Sequence, residues 1–357
     1  MRPHTSLHVI LAAGVAVDAK AWVPNFKNLV AFGDSYTDEN RLSYFLDNGV
    51  PPPTGTLLPP NNDTTSGGFT WARIVSTDTG TKLYNYAVSG AVCDNKIINR
   101  YLSGIKGPFP DVVYEVDAFV ADANFVNTTT NSNTLFTDRQ SDNTVYSIWI
   151  GTNDLGVNGF LTDSSLNGTT IPDYVDCIFD KFDILYQNGA RYFVLINNAP
   201  LELSPLYGMP EAGGQAVSVR YWPEKASSHI YPSNTSEISG KMKEYTKLVN
   251  EVFNYRTPFE ILVQKRYPDA SIAVFDVNTL MSDIYHNPTQ YFAAPANVTG
   301  QYELCEDGSG NRCVNSNGTL DQYFWHDELH PASRTDDAIA KEFAKVVEGT
   351  SGYAKYW

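Results

Sequence analysis

Apolar and polar positions along the chain predict strands and helices in alternation. Five short apolar runs have the length of buried strands. They cover residues 28–33, 82–87, 144–150, 191–197 and 271–277. Apolar residues at helical spacing predict helices at residues 111–124, 173–187, 239–266 and 338–347. Such alternation is typical of a parallel sheet with helices on both faces. The sequence therefore predicts an α/β fold, a three-layer α/β/α sandwich with a central, mainly five-stranded parallel sheet.

Four long irregular segments separate the predicted elements. They span residues 49–69, 126–143, 198–236 and 286–325, and the first of them is rich in Pro, Gly, Asn and Thr. Long loops beside a site usually shape its specificity. We expect these segments to do so here.

The first predicted strand ends at Gly33-Asp34-Ser35. A glycine followed by small polar residues turns a strand sharply into a helix N-terminus. At such a turn the Ser35 side chain would project into solvent, and its N–H and the helix dipole would face an oxyanion. This placement predicts a nucleophilic serine. The alternative is a helix N-cap, since Asp34, Ser35 and Thr37 all cap well, and this fragment alone favours the cap.

A carboxylate and an imidazole lie close together near the C-terminus. Asp327 precedes His330 by three residues, so it can accept the Nδ1–H and leave Nε2 free to take a proton from a serine. The alternative is a zinc site, because His326 and His330 are four residues apart. Pro331 argues against it, since the residue before a proline is pushed out of the helical region. The zinc signature also has Glu where this chain has Asp327.

Two further strand ends offer hydrogen-bond donors. The strand at 82–87 runs into Gly90, and the strand at 144–150 into Gly151 and Asn153. A backbone N–H at Gly90 and the Asn153 amide could both donate to a developing oxyanion. Each signal alone also fits an ordinary turn or cap. Ligands bind at the carboxyl ends of parallel strands, where all of these groups fall.

These motifs resemble, in order and spacing, the four blocks of the SGNH, or GDSL, hydrolases. The resemblance spans residues 28 to about 345. One departure is Tyr36, where many members have leucine. The four blocks are Gly33-Asp34-Ser35, Asn85 to Gly90, Gly151 with Asn153, and Asp327 with His330.

The resemblance implies a flavodoxin-like fold and a role for each matching residue. Ser35 would be the nucleophile, His330 the general base and acid, and Asp327 its orienting partner. The Ser35 N–H, the Gly90 N–H and the Asn153 Nδ2 would form the oxyanion hole. No cofactor and no metal are implied.

Other segments look like the fungal acetyl esterases of carbohydrate esterase family sixteen. They are the run from Phe32 to Arg41, the Pro-rich loop from Pro51 to Pro60, and Gly67 to Trp71. This likeness implies removal of acetyl groups from acetylated xylo-oligosaccharides and related sugars. Two alternatives remain: a GDSL-type lipase or phospholipase acting on longer acyl chains, and a non-catalytic sugar-binding module.

The net charge and the aromatic content limit the classes of molecule that the protein is expected to bind. A net charge of −15 repels phosphate backbones, so nucleic acid is not expected. Aromatic residues make up 13% of the chain, and such rings can stack on sugars although most fill the core. Trp71 and Trp325, beside the proposed catalytic blocks, are the predicted substrate-binding exceptions.

The N-terminus predicts secretion. Residues 1–21 have a weakly basic start, an apolar core and a small-x-small end at Ala19-Lys20-Ala21, so the mature chain is expected to begin at Trp22. No later stretch approaches ~20 apolar residues, so no membrane span is expected. Sequons would accept glycans in a eukaryotic host. They lie at Asn62, Asn127, Asn167, Asn234, Asn297 and Asn317.

Cysteines and length complete the prediction. Four cysteines fit an oxidising compartment. Cys305 and Cys313 flank a Gly-rich loop and are expected to pair, which leaves Cys93 with Cys177. Ser35 and His330 must meet in one site, so residues 22–357 are expected to form a single domain, and the protein a monomer.

Overall fold

The computed structural model describes residues 21–102, 104–228, 230, 234–306 and 312–357. The expected leader at residues 1–21 lies outside the described residues except for Ala21. The Trp22 N–H donates to the Glu348 carbonyl at 3.2 Å.

Within the described residues, the chain forms ten strands and eight helices. The strands are β1 (Asn28–Gly33), β2 (Lys82–Asn85), β3 (Thr144–Trp149), β4 (Tyr192–Ile196), β5 (Ser271–Phe275), β6 (Asn297–Gln301), β7 (Glu303–Cys305), β8 (Cys313–Asn315), β9 (Tyr323–Trp325) and β10 (Ala354–Tyr356). The helices are α1 (Arg41–Asn48), α2 (Trp71–Thr79), α3 (Val112–Ala123), α4 (Thr152–Leu155), α5 (Ile171–Gln187), α6 (Thr235–Pro258), α7 (Val277–His286) and α8 (Ser333–Glu348).

The central sheet has the order β10-β5-β4-β3-β1-β2. The five predicted strands are confirmed, and all pair in parallel. The sixth, β10, is antiparallel to β5 and was not predicted. It has only three residues, which is too short for an apolar period to be recognised.

Helices cover both faces of this sheet. Every side chain of β1 and of β3 is buried, and successive side chains of a strand point to opposite faces. One group of helices consists of α5 with α3 and α6, and the other of α8 with α2 and α7. The predicted three-layer α/β/α sandwich is confirmed.

The predicted helix at residues 239–266 differs in its bounds. The α6 helix begins four residues earlier, where the Asn234 side chain accepts the Glu237 N–H at 3.1 Å. It ends at Pro258 and continues as one π-helical turn over Phe259–Val263. The short helices α1, α2 and α7 were not predicted from the sequence.

The segment at residues 286–325, predicted to be irregular, contains two small sheets. Strands β6 and β9 pair in parallel, and β7 and β8 form an antiparallel hairpin. Because β9 ends two residues before Asp327, this small sheet positions the C-terminal motif.

Both predicted disulfides are present. Cys93 is bonded to Cys177, which links the segment after β2 to α5. Cys305 is bonded to Cys313 across the β7–β8 hairpin. Over the part of the chain that the structure describes, no helix is both long and apolar enough to cross a bilayer.

Candidate active site

A tight turn after β1 positions Ser35. Gly33 has φ 147°, and a Cβ there would lie 2.1 Å from the Trp149 carbonyl oxygen, so the approach of β1 to β3 requires glycine. The N–H groups of Thr37 and Asp38 both donate to the Asp34 carbonyl, each at 2.9 Å. The sharp turn is therefore confirmed. The helix expected directly after it is not, because α1 begins only at Arg41.

The turn brings Ser35 to His330 from the other end of the chain. The distance from Ser35 Oγ to His330 Nε2 is 2.7 Å. The His330 Nδ1 lies 2.9 Å from each carboxylate oxygen of Asp327. Asp327 Oδ1 also accepts the N–H groups of Leu329 at 2.9 Å and His330 at 2.8 Å. The predicted juxtaposition of the two chain ends is confirmed, and the imidazole is held on both sides.

Charge and hydrogen bonds keep Asp327 ionised although it is buried. Burial acts to raise its pKa, but His330, Arg220 and the Tyr221 hydroxyl together hold the pKa well below its usual range. The Tyr221 hydroxyl donates to Asp327 Oδ2 at 2.6 Å, and Arg220 Nη1 lies 3.6 Å from the same oxygen. Arg220 also pairs with Glu303 at 2.8 Å. Neither Arg220 nor Tyr221 was predicted from the sequence, because both lie in the irregular segment 198–236.

Two backbone donors stand free at adjacent strand ends. Gly90 follows β2, and β1 lies between β2 and β3 in the sheet. Neither the Ser35 N–H nor the Gly90 N–H has a hydrogen-bond acceptor among the described residues. A left-handed φ of 88° at Gly90 favours glycine there.

Asn153 lies at the end of β3, in the first turn of α4. Its Nδ2 donates to the Ala91 carbonyl at 2.9 Å, which leaves the second amide hydrogen available. Gly151, with φ 133°, leads into this turn, and a Cβ there would lie 1.9 Å from Asn198 Oδ1. Asn153 is thus fixed beside the segment that contains Gly90.

The Glu115 side chain of α3 links the end of β1 to the segment that follows β2. Its two carboxyl oxygens accept the Gly33 N–H at 2.8 Å and the Val88 N–H at 3.2 Å. The side chain is fully buried, and burial raises its pKa well above the usual range. Each accepted N–H is two residues from a proposed oxyanion donor, Ser35 or Gly90. Nothing in the helical pattern of α3 marked this residue.

Two buried carboxylates, Asp34 next to Ser35 and Asp154 next to Asn153, and the partly buried Arg100 lie near the proposed oxyanion donors. Arg100 Nη2 lies 3.6 Å from the position that a Cβ on Gly90 would take. Burial raises the pKa of Asp34 to about 6 and that of Asp154 to about 7, and it lowers the pKa of Arg100. Among the described residues, the Oδ2 of Asp34 and the Oδ2 of Asp154 have no hydrogen-bond partner. This group of charged residues was not predicted.

The predicted sugar-stacking roles of Trp71 and Trp325 are wrong. Both side chains are 0% exposed. Trp71 packs against Phe343 of α8 and donates to Thr37 Oγ1 at 3.1 Å, and Trp325 packs against Phe324. A large apolar ring that is close to a site in sequence can still be buried when a helix packs over it. Here α8 packs over these rings.

His326 and His330 do not form the alternative zinc site. The His330 ring nitrogens face Ser35 and Asp327, and His326 Nδ1 lies 2.8 Å from the Thr65 carbonyl oxygen. Among the described residues, one group of potential ligands is close enough to hold a metal, and it consists of Glu303, Cys305 and Cys313. Its two cysteines are joined as a disulfide.

The sequon asparagines are distributed over the surface. Those at positions 62, 167, 234 and 317 are exposed, and Asn127 and Asn297 are half-buried. The side-chain oxygens of the latter two accept backbone N–H groups of Thr129 and Gly300.

A cavity of about 380 Å³ is lined by residues that contact or adjoin the proposed catalytic groups, although Ser35 itself is not part of its lining. One wall contains Thr65, whose hydroxyl donates to the Ser35 carbonyl at 2.9 Å. Another contains Ser89, the neighbour of Gly90, and a third contains Arg220 and His326. The long segments at 49–69, 198–236 and 286–325 all contribute to it, so the irregular parts of the chain shape this cavity.

Comparisons with known proteins identify the family of this chain. A protein from Hypocrea jecorina named acetylesterase is 41% identical over 93% of this chain and 92% of its own. An acetylesterase from Thermothelomyces thermophilus is 24% identical over 97% of each chain. The solved structure of LAE5, an α/β hydrolase from the metagenome of Lake Arreo, is 12% identical with a TM-score of 0.42 and covers 92% of this chain and 98% of that one. The model of the GDSL-like lipase/acylhydrolase family matches residues 29–343. The chain belongs to this family.

Proposed function

We propose that this protein is a secreted serine esterase that removes acetyl groups from acetylated carbohydrates, xylo-oligosaccharides among them. The observation that supports it most is the contact of 2.7 Å between Ser35 Oγ and His330 Nε2, with Asp327 on the other side of the imidazole. The names of the two relatives favour acetyl over longer acyl groups.

The reaction proceeds through an acetyl-enzyme. His330 Nε2 takes the Ser35 proton as Oγ attacks the ester carbonyl carbon. The N–H groups of Ser35 and Gly90 and the Asn153 amide stabilise the oxyanion. The imidazolium then protonates the sugar oxygen as its bond to the carbonyl carbon breaks, so the sugar leaves with a free hydroxyl. A water molecule, deprotonated by His330, releases acetate and restores Ser35.

Asp327 keeps the His330 imidazole in the tautomer that the reaction needs. Because Asp327 is ionised and accepts the Nδ1–H, Nε2 is left as the proton acceptor. The Tyr221 hydroxyl and Arg220 hold the carboxylate in place from the opposite side. The carboxylate therefore orients the imidazole and stabilises the imidazolium without taking its proton.

A fluorophosphonate probe and a Ser35→Ala variant test this proposal. We expect the probe to label the peptide that contains Ser35, and Ser35→Ala to lose both labelling and turnover while its melting temperature is retained. Full turnover in Ser35→Ala would eliminate the proposed nucleophile.

Acyl-chain and sugar specificity are tested separately. Among p-nitrophenyl acetate, butyrate and palmitate, we expect the acetate to be the preferred substrate. A preference for palmitate would favour the lipase alternative. Product analysis on acetylated xylo-oligosaccharides then identifies the ring position that is deacetylated.

Location and assembly follow from the same proposal. The leader-like residues 1–21, the two disulfides and the exposed sequons support an extracellular glycoprotein. We expect it to act as a monomer. N-terminal sequencing of the secreted protein, glycosidase treatment and light scattering test these three points.

A further inference from the structure

Two lining residues of the cavity near Ser35 contact proposed catalytic groups, and further hydrogen bonds hold the rest of this wall in place. Thr65 bonds to the Ser35 carbonyl, and Arg220 lies against Asp327. Asp38 Oδ2 accepts the Ser89 N–H at 2.7 Å, and Asp38 Oδ1 accepts the Arg41 N–H at 2.7 Å at the start of α1. A molecule in this cavity therefore meets a wall whose position relative to Ser35 is set.

Some polar groups of this wall are already paired. Asp38 accepts four backbone N–H groups, from residues 40, 41, 42 and 89. Glu39 accepts two bonds from Arg73, and Glu303 Oε1 pairs with Arg220. These groups maintain the wall and have little capacity left for a ligand.

Five other polar side-chain groups of the wall have no partner among the described residues. They are the Asn40 amide, the Ser43 hydroxyl, the Asp63 carboxylate, the Ser89 hydroxyl and the His326 Nε2. Asn40 precedes α1, but its side chain does not cap the helix. Together these groups include both hydrogen-bond donors and hydrogen-bond acceptors. Such a wall suits a sugar ring, because each sugar hydroxyl can both donate and accept.

The charge of the wall is negative. Its carboxylates are Asp38, Glu39, Asp63 and Glu303. Glu39 is paired with Arg73 and Glu303 with Arg220, so Asp38 and Asp63 leave the wall negative. A carboxylate accepts a hydrogen bond from a hydroxyl but repels another anion in a confined space. Uronate rings and phosphate groups are therefore disfavoured.

We propose that this cavity binds the acetylated sugar ring itself and selects an uncharged ring over a uronate ring. The inference rests on the proposed esterase function, which it deepens by naming the substrate class. Asp63 acts as the main discriminating residue, because its carboxylate is exposed to the cavity and unpaired.

A matched pair of substrates tests the selection in the wild-type protein. Monoacetylated methyl galactopyranoside and monoacetylated methyl galacturonide differ only in a CH₂OH group against a carboxylate. We expect kcat/KM to favour the neutral ester by about tenfold or more at low salt, and the ratio to shrink at high salt as charges are screened. Equal rates on both esters would overturn the proposal.

Two variants then assign the effect to the wall. Asp63→Ala is expected to reduce the neutral-to-uronate ratio severalfold, and Asn40→Ala to lower kcat/KM on the neutral ester by about fivefold, as for one lost hydrogen bond. Alanine is used at position 63 because asparagine there would create a sequon with Thr65.

The matched control is Asp142→Ala, which removes an exposed carboxylate just before β3. This position lies at the N-terminal end of the strand, whereas the proposed site lies at the carboxyl ends. It is expected to leave the ratio unchanged. If the wild-type protein hydrolyses p-nitrophenyl acetate and Asp63→Ala leaves the ratio unchanged, this inference fails and the esterase function stands. If p-nitrophenyl acetate is not hydrolysed, the esterase function itself fails.

Discussion

At the scale of single residues, the site depends on hydrogen bonds that are already made before substrate arrives. His330 is held between Ser35 and Asp327, and Asp327 is held in turn by two backbone N–H groups and by Tyr221. Among the described residues, the two proposed backbone donors for the oxyanion, the N–H groups of Ser35 and Gly90, are left unpaired instead. This division between paired and unpaired groups is what preorganised electrostatic stabilisation requires, because the donors need not reorganise during the reaction.

Asn153 tests this arrangement. Asn153→Ala removes one oxyanion donor, and we expect kcat to fall about a hundredfold with a smaller change in KM. Steady-state kinetics on p-nitrophenyl acetate measure both. Asn124→Ala is the control, since that amide also donates to a backbone carbonyl but is exposed at the end of α3. A loss of less than threefold in Asn153→Ala would remove Asn153 from the oxyanion hole.

Asp154 predicts a pH dependence of stability. Its folded-state pKa is raised by burial from 3.8 to about 7, so the folded protein binds the proton more tightly than the unfolded chain. The favourable contribution of the protonated form is complete below about pH 4 and is lost as the pH rises to about 7. Asp154→Asn keeps the shape and an acceptor for the Cys93 N–H, and it carries no charge.

We therefore expect Asp154→Asn to gain stability over the wild type as the pH rises. The difference in free energy of unfolding should be smallest near pH 4 and reach on the order of 3 kcal/mol above pH 7. Urea denaturation across this range measures it. A difference that is constant with pH would contradict the raised pKa.

At the scale of elements, the sequence predicted what periodicity can encode. The five parallel strands and the long helices were recognisable because each buries a regular apolar face. Strand β10 and the small sheets were not, since three-residue strands pair through tertiary contacts that leave no period. The site followed the same division. Ser35, Gly90, Asn153 and His330 lie at strand ends or in local motifs, whereas Tyr221 reaches the site only through the folding of a long loop.

Glu115 shows how an element can position the site without contributing chemistry to it. We expect Glu115→Gln to lower the free energy of unfolding by about 1 kcal/mol, because the amide can accept only one of the two N–H groups, while the Val88 N–H keeps its bond to the Gly33 carbonyl at 3.0 Å. Asp117→Asn, on the exposed side of the same helix, should change it by less than about 0.5 kcal/mol. Urea denaturation measures both, and equal stabilities would contradict the proposed tie between β1 and β2.

At the scale of the whole molecule, two disulfides connect segments that are not joined by the strand pairing of the central sheet. Cys93–Cys177 closes a segment of 84 residues and fixes the chain just after Gly90 to α5. Cys305–Cys313 closes only 8 residues, within a hairpin. The sequence could propose both pairs, but it could not show that the first fixes the segment between the oxyanion donors and the core.

Removing the two disulfides separately should show this difference. A crosslink stabilises by restricting the unfolded chain, so its effect grows with the length of the closed segment. Chain entropy gives about 4.5 kcal/mol for the longer segment and about 2.5 kcal/mol for the shorter one. We expect the Cys93→Ala/Cys177→Ala protein to unfold at clearly lower urea concentration than the Cys305→Ala/Cys313→Ala protein. Because native domains are stable by only about 5–15 kcal/mol, the first change removes a large share of the total. Equal midpoints, or the reverse order, would show that the hairpin disulfide and not the link to α5 limits the stability of the fold.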